Sequence, residues 1–235
     1  MKAKGYIFDY GGTIDTNGCH WGKMLWHAYQ RHNIPIHEDE FRRAYVHGER
    51  TLGRIPIIQT DYTFRKTLSI KLRIEFEYLQ DKGLLNANNF NSASHQTAIL
   101  DDLYQKVTDT TAKAREVLLK VKEQAPVVLV SNFYGNINVV LDEFHLDSIF
   151  KDVIESAVVG VRKPDPEIFQ LGIKALGLPP EDIVLVGDSF DKDILPGNSV
   201  GLKTVWLKGE QWDDRSYDET LPDKIITNFS QLIGR

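Results

Sequence analysis

A single cysteine, Cys19, stands among 235 residues, so the chain has no internal disulfide framework and no multi-cysteine zinc or iron–sulfur site. A reducing compartment is the expectation. No run of lysine and arginine forms a stripe that would follow a phosphate backbone. The formal net charge of −5, with a sequence pI near 5.8, likewise points away from nucleic acid. The apolar stretch behind Met1-Lys2-Ala3-Lys4 stops at Asp9, too short for a secretory signal core. Other apolar runs, such as Pro126 to Val130 and Ile183 to Val186, are strand-sized. They fall far below the roughly 20 residues that a membrane helix needs. These absences lead to the expectation of a soluble, cytoplasmic protein with neither membrane nor nucleic acid as partner. Nothing in the sequence reads out an oligomeric state.

Hydrophobic residues make up 42% of the chain, enough to fill a sizeable core. Four short segments are apolar throughout instead of alternating: Tyr6 to Asp9, Val127 to Ser131, Ile183 to Asp188 and Thr204 to Leu207. That pattern predicts strands buried on both faces, as in a parallel sheet covered by helices. Between the later strands, Asp165 to Leu176 reads as a helix, with Pro166 suited to its start and Gly177 to its end. The predicted fold class is therefore a doubly wound α/β domain with a parallel, Rossmann-like sheet.

More than a hundred residues separate the first two strands, and their pattern is helical. Trp21, Met24, Leu25, Ala28 and Tyr29 recur at helical spacing, as do Leu68, Leu72, Phe76 and Leu79, and both stripes read as helix-bundle core. Residues 86–92 read as a polar loop. Thr110 to Gln124 reads as the helix that returns to the first unit. The expected organisation is a core domain of residues 1–15 and 110–235, with an all-helical domain of residues 16–109 inserted in it.

In an open parallel sheet, ligands gather beyond the carboxyl ends of the strands. Three predicted strand ends carry reactive groups, Asp9, Ser131 and Asp188. Each taken singly is an ordinary turn former or helix cap. Lys163, just before the Pro164-Asp165-Pro166 helix start, adds an ammonium. Two carboxylates, a hydroxyl and an ammonium on one sheet edge suit an anion together with a hard divalent cation, because the carboxylates would otherwise repel. Magnesium is the natural choice.

These segments resemble, in order, the four motifs of the haloacid dehalogenase superfamily: Phe8-Asp9-Tyr10-Gly11-Gly12-Thr13-Ile14-Asp15, Val130-Ser131-Asn132, Lys163-Pro164, and Gly187-Asp188 with Asp193. The insert lies where the family's helical cap of the first type would stand. The resemblance implies that Asp9 is the nucleophile and a magnesium ligand, with the Gly11 carbonyl and Asp188 completing the protein's ligands. Asp193 would support the metal's waters or Lys163. Ser131 and the backbone N–H of Asn132 would bind a substrate oxygen, and Lys163 would balance charge at the reacting centre. Asp15 to Gly18 looks like the family's flap, and Asn17-Gly18 is the dipeptide of a tight hairpin. The implied substrate is a small phosphorylated metabolite.

The chain departs from the family's phosphatases at Gly11, where they carry the aspartate that protonates the leaving alkoxide. Positioned acid/base catalysis is worth about 10²–10⁴-fold, so alkyl phosphates are expected to be poor substrates. Three readings stay open. The chain is a phosphohydrolase with a good leaving group or a substitute acid such as His20, a dehalogenase-type hydrolase, or a non-catalytic phospho-ligand-binding or regulatory protein. The intact metal and phosphate groups favour the first, and retention of Asp188 argues against the second. Cys19 reads as a small buried side chain. Arg50 and Arg54 are cations for a substrate's far end or a solvated helix face.

Overall fold

The structure is a computed structural model that describes residues 3–85 and 91–234. Most of the polar loop expected at 86–92 lies outside the described residues. The chain builds six strands, β1 (Gly5–Phe8), β2 (Val127–Ser131), β3 (Asp152–Glu155), β4 (Ile183–Gly187), β5 (Lys203–Leu207) and β6 (Lys224–Ile226), all parallel, in the order β3-β2-β1-β4-β5-β6. Strands β2 and β4 are buried at every residue, which is why their sequences do not alternate. The two strands that the pattern misses are the sheet's edges. Asp152 and Lys224 open them and face solvent, so neither carries an unbroken apolar run.

Between β1 and β2 come four helices, α1 (Trp21–Arg31), α2 (Glu38–Arg54), α3 (Phe64–Asp81) and α4 (Ser92–Lys122). Helix α4 is continuous through position 110, where the sequence suggested a boundary. Its threonines do not break it. Thr108, Thr110 and Thr111 each turn their hydroxyl back to the carbonyl four residues earlier, at 2.8 Å in each case. After β2 follow α5 (Ile137–Glu143), α6 (Ser156–Val159), α7 (Glu167–Leu176) and α8 (Leu195–Ser199). Helix α7 starts two residues later than expected. Asp165 accepts a hydrogen bond from the Glu167 N–H at 3.0 Å, and Gly177 closes the helix in the left-handed region.

The helical insertion is tied to the sheet unit by polar contacts as well as by the shared core. The Glu143 carboxylate of α5 accepts from the Phe64 N–H at the start of α3, and the Asn136 amide donates to the Tyr62 carbonyl at 2.7 Å. The Trp212 ring packs on Tyr45 and His20 and against Gly22 of α1, while Arg42 lies over it at 4.2 Å. Among the described residues, no helix is long and apolar enough to cross a membrane.

Inside the insertion, Glu75 of α3 is fully buried. Its Oε2 accepts from the Tyr29 hydroxyl at 3.0 Å, and its Oε1 has no hydrogen-bond partner among the described residues. Burial, outweighing the nearby Lys71, raises its carboxyl from an ordinary 4.5 to about 7. The unfolded chain releases this proton first, so stability falls as pH rises from 4.5 to about 7 and is level above. Glu75→Gln removes that loss. The variant's melting temperature, measured against the parent, is expected to climb across this window by the equivalent of up to about 3 kcal/mol. A difference that does not change with pH would mean that Glu75 titrates as an ordinary carboxylate.

Candidate active site

Strand β1 sits between β2 and β4, with Phe8 opposite Val186, so the residues just after β1 and β4 meet at the carboxyl edge. These residues are Asp9 and Asp188, each 4% exposed. The Thr13 hydroxyl lies 3.0 Å from both Asp9 Oδ2 and Asp188 Oδ1, and it accepts the Asp188 N–H at 3.0 Å. A hydroxyl has one proton, so Thr13 satisfies one carboxylate at a time. The two negative charges remain close together.

Lys163 answers part of that charge. Its Nζ donates to Asp9 Oδ1 and, at 2.7 Å, to Asp193 Oδ1. Burial alone would lower the pKa of this ammonium, but the charges of Asp193 and Asp9 outweigh it and hold the group protonated. Asn132 fixes the lysine from behind: its amide donates to the Lys163 carbonyl and accepts the Lys163 N–H, both at 2.9 Å. The Asn132 side chain thus positions Lys163, a role that the sequence did not suggest.

Three carboxylates therefore face one ammonium. Oxygens of Asp9, Asp188 and Asp193 lie within 4.8 Å of one another, and all three residues are buried. Burial, and then the charges of Asp9 and Asp193, push the Asp188 carboxyl well above its ordinary value. An all-oxygen cluster with three carboxylates to one ammonium fits a hard divalent cation, whose charge would favour their ionised forms.

Glycines set the approach of the loop after β1. Gly12 is left-handed, at φ +98°, and a Cβ there would run into the Asp188 carboxylate. Gly11 differs: a Cβ built on it meets no heavy atom within 4 Å. The expected flap is a compact coil without flanking strands. Asn17 and Gly18 are both left-handed, but the Gly18 N–H closes on the Gly12 carbonyl at 2.7 Å. Asp15 meanwhile accepts from the Gly12 N–H at 2.6 Å and from Trp21 Nε1 at 2.8 Å. These local bonds tie the loop to itself and to Trp21 in place of a hairpin ladder.

A cavity of about 450 Å³ opens over these groups, lined by Asp9, Gly11, Asn132, Lys163, Asp188 and Asp193. Ser131 is not part of the lining, yet its Oγ is buried with no hydrogen-bond partner among the described residues. Almost all buried hydroxyls are paired, so this one is an unspent group at the end of β2. The insertion contributes Trp21, Tyr45, Glu49 and Lys71 to the lining. Trp21 is thus not only core, as the stripe reading held. Arg54 also lines the cavity and Arg50 does not. Lys71, 7% exposed, pairs with Glu49 and sits 4.9 Å from the Tyr45 ring centre.

His20 does not suit the part of substitute acid. Its Nδ1 accepts the Gly22 N–H at 3.0 Å and so caps α1. Burial, with Lys192 and Lys71 nearby, lowers it to about 4, so the ring is neutral at physiological pH. Cys19 is partly buried, and burial raises its thiol to about 12, which leaves it unreactive.

Comparison with known proteins agrees with this geometry. A family model described as haloacid dehalogenase-like hydrolase matches residues 3–201. A glyceraldehyde 3-phosphate phosphatase from Pyrococcus furiosus is 34% identical over 125 residues, covering 51% of this chain and 51% of that one. A phosphoserine phosphatase from Thermus thermophilus is 38% identical over 84 residues, covering 35% and 32%. The chain thus matches about half the length of the first relative and a third of the second. Among solved structures, a dehalogenase with an intermediate complex superposes with a TM-score of 0.64 at 15% identity, over 98% of this chain and 96% of that one. The family model takes in β1, β2 and β4 with every carboxylate at their ends, and the chain belongs to the haloacid dehalogenase-like hydrolase family.

Proposed function

We propose that the chain is a magnesium-dependent phosphohydrolase that acts on a small phosphorylated metabolite through an aspartyl-phosphate at Asp9. The observation that carries this reading is the buried group of Asp9, Asp188 and Asp193 around a single Lys163, with a cavity above it. The relatives named as phosphatases point the same way. Asp9, Asp188 and the Gly11 carbonyl would hold the cation, and Asp193 would stand behind it. When bound, magnesium would neutralise the carboxylates and draw charge from the phosphoryl oxygens. The residues 16–109 would act as a cap that supplies the far wall of the substrate site.

In this scheme one Asp9 oxygen attacks phosphorus while Lys163, held by Asn132, offsets charge on the phosphoryl group. The Ser131 hydroxyl and the Asn132 N–H would take phosphoryl oxygens. Proton donation to the leaving group is the weak step, since Gly11 offers none and His20 is neutral. Rates should therefore fall steeply as the leaving group's pKa rises. Aryl and acyl phosphates should turn over with magnesium, while simple sugar phosphates barely react. Calorimetry should detect magnesium binding, strengthened by vanadate. A flat dependence on leaving-group pKa would place an acid elsewhere in the cavity, and no metal affinity with or without vanadate would remove the cation from the scheme.

The open position at Gly11 also fits a second reading, a protein that holds a phosphorylated ligand without turning it over. Failure to hydrolyse even an activated aryl phosphate would favour it.

A further inference from the structure

The missing acid and the unpaired cations belong to one cavity. Arg54, at the end of α2, Arg162, one residue before Lys163, and Lys192, one before Asp193, all line it. None of the three forms an ion pair among the described residues. The other two cations of the lining are engaged, Lys163 by Asp9 and Asp193 and Lys71 by Glu49. The free charges converge from both sides of the cleft. Arg162 Nη1 lies 3.8 Å from the point where a Cβ on Gly53 would stand, so it reaches across to the end of α2 beside Arg54. Lys192 lines the same cavity as Glu49 and His20 of the insertion.

A departing oxygen must either be protonated or have its charge matched. An alkoxide, with a conjugate acid near the ~16 of bulk water, needs the proton that Gly11 cannot give. A phosphate monoester, whose second pKa is about 6, leaves as a stable anion and needs only cations around it. Resting on the phosphohydrolase reading, we propose that the substrate is a phosphoanhydride, a diphosphate whose terminal phosphoryl group lies at Asp9 and whose second phosphate is held by Arg162, Lys192 and Arg54.

The step balances without a general acid. An Asp9 oxygen bonds to the terminal phosphorus, the bond from that phosphorus to the bridging oxygen breaks, and the bridging oxygen leaves with the electron pair as part of the second phosphate. Water then attacks phosphorus in the aspartyl-phosphate, and the carboxylate departs with its bond electrons. The water's protons pass to the released phosphate and to solvent.

The test uses the full chain with magnesium and compares kcat/KM for p-nitrophenyl phosphate, inorganic pyrophosphate and a nucleoside diphosphate. At least one diphosphate is expected to exceed the aryl ester by about tenfold or more. Which one does so separates an inorganic from an organic substrate, the latter drawing on Trp21 and Tyr45 in the lining. Arg162→Ala and Arg54→Ala, on opposite sides of the cleft, are each expected to lower kcat/KM for the diphosphate about 10–100-fold more than for the aryl ester, the range of a lost charged hydrogen bond. If the aryl ester turns over but neither diphosphate surpasses it, or the variants affect both substrates alike, the phosphoanhydride proposal is overturned and the phosphohydrolase reading stands. If none of the three is hydrolysed, both fall.

Discussion

Asp9→Asn is expected to reduce turnover of every substrate by at least about 10⁴-fold, since an amide is no nucleophile toward phosphorus and removing a covalent nucleophile costs on this order. The fold should survive. Asparagine has the volume of aspartate, its carbonyl can still accept from Lys163, and Lys163 keeps Asp193 as its partner. Asp188 is also relieved of one of the charges that raise its carboxyl. Without metal, the variant's melting temperature should therefore equal or exceed the parent's. The increase that magnesium gives the parent should shrink, because a ligand bound to the folded state alone stabilises it in proportion to its affinity. Thermal scans with and without magnesium, set beside a phosphatase assay, separate the two effects. A variant that retains activity would exclude Asp9 as the nucleophile, and one that unfolds would make it a structural residue.

Gly11→Asp is expected to raise hydrolysis of simple alkyl phosphates by about 10–10³-fold. Positioned acid/base catalysis contributes about 10²–10⁴-fold, and a carboxylate placed without a tuned environment recovers only part of it. The geometry gives the substitution an easy entry. Gly11 is not among the left-handed residues, a Cβ there meets nothing within 4 Å, and the position faces the cavity. Gly12→Asp is the contrast. There the side chain would collide with Asp188 on a left-handed backbone, and activity should disappear. The gain at position 11 should be largest for the poorest leaving groups and near nothing for an aryl phosphate, which flattens the dependence on leaving-group pKa. If Gly11→Asp binds magnesium normally but shows no gain on any alkyl phosphate, the missing acid is not what limits this chain.

The parts of the molecule differ in how openly the sequence displays them. Strands β2 and β4 are buried on both faces, so every side chain obeys the same constraint and the run is visible residue by residue. At the edges that constraint weakens, and Asp152 or Lys224 blurs the pattern. The run Asp109-Thr110-Thr111 resembles a break because threonine and aspartate are weak helix formers. In α4 the threonine hydroxyls find carbonyls of the preceding turn, and packing of Val107, Thr111 and Ala114 carries the helix through. His20 suggested itself as a substitute acid because it stands just after the flap in sequence. Its burial and its bond to Gly22 arise from the fold of α1 against the loop bearing Trp212.

Which reactive groups stand at the strand ends is legible along the chain, because a strand's apolar run and the residue that closes it are adjacent. Asp9, Ser131 and Asp188 are identified in this way, and so is the absence of a carboxylate at Gly11. What each group touches follows from the folded chain alone. Thr13 meets Asp188 across 175 positions, Asn132 clamps Lys163 across 31, and Lys163 reaches Asp9 across 154. Neither local periodicity nor propensity constrains such pairs. They are fixed by strand order and by the close packing of loops at the sheet edge, where β1 lies between β2 and β4. The same holds for the cavity wall, since Arg54 and Arg162 come from separate helical and loop segments and face each other only once the insertion closes over the sheet.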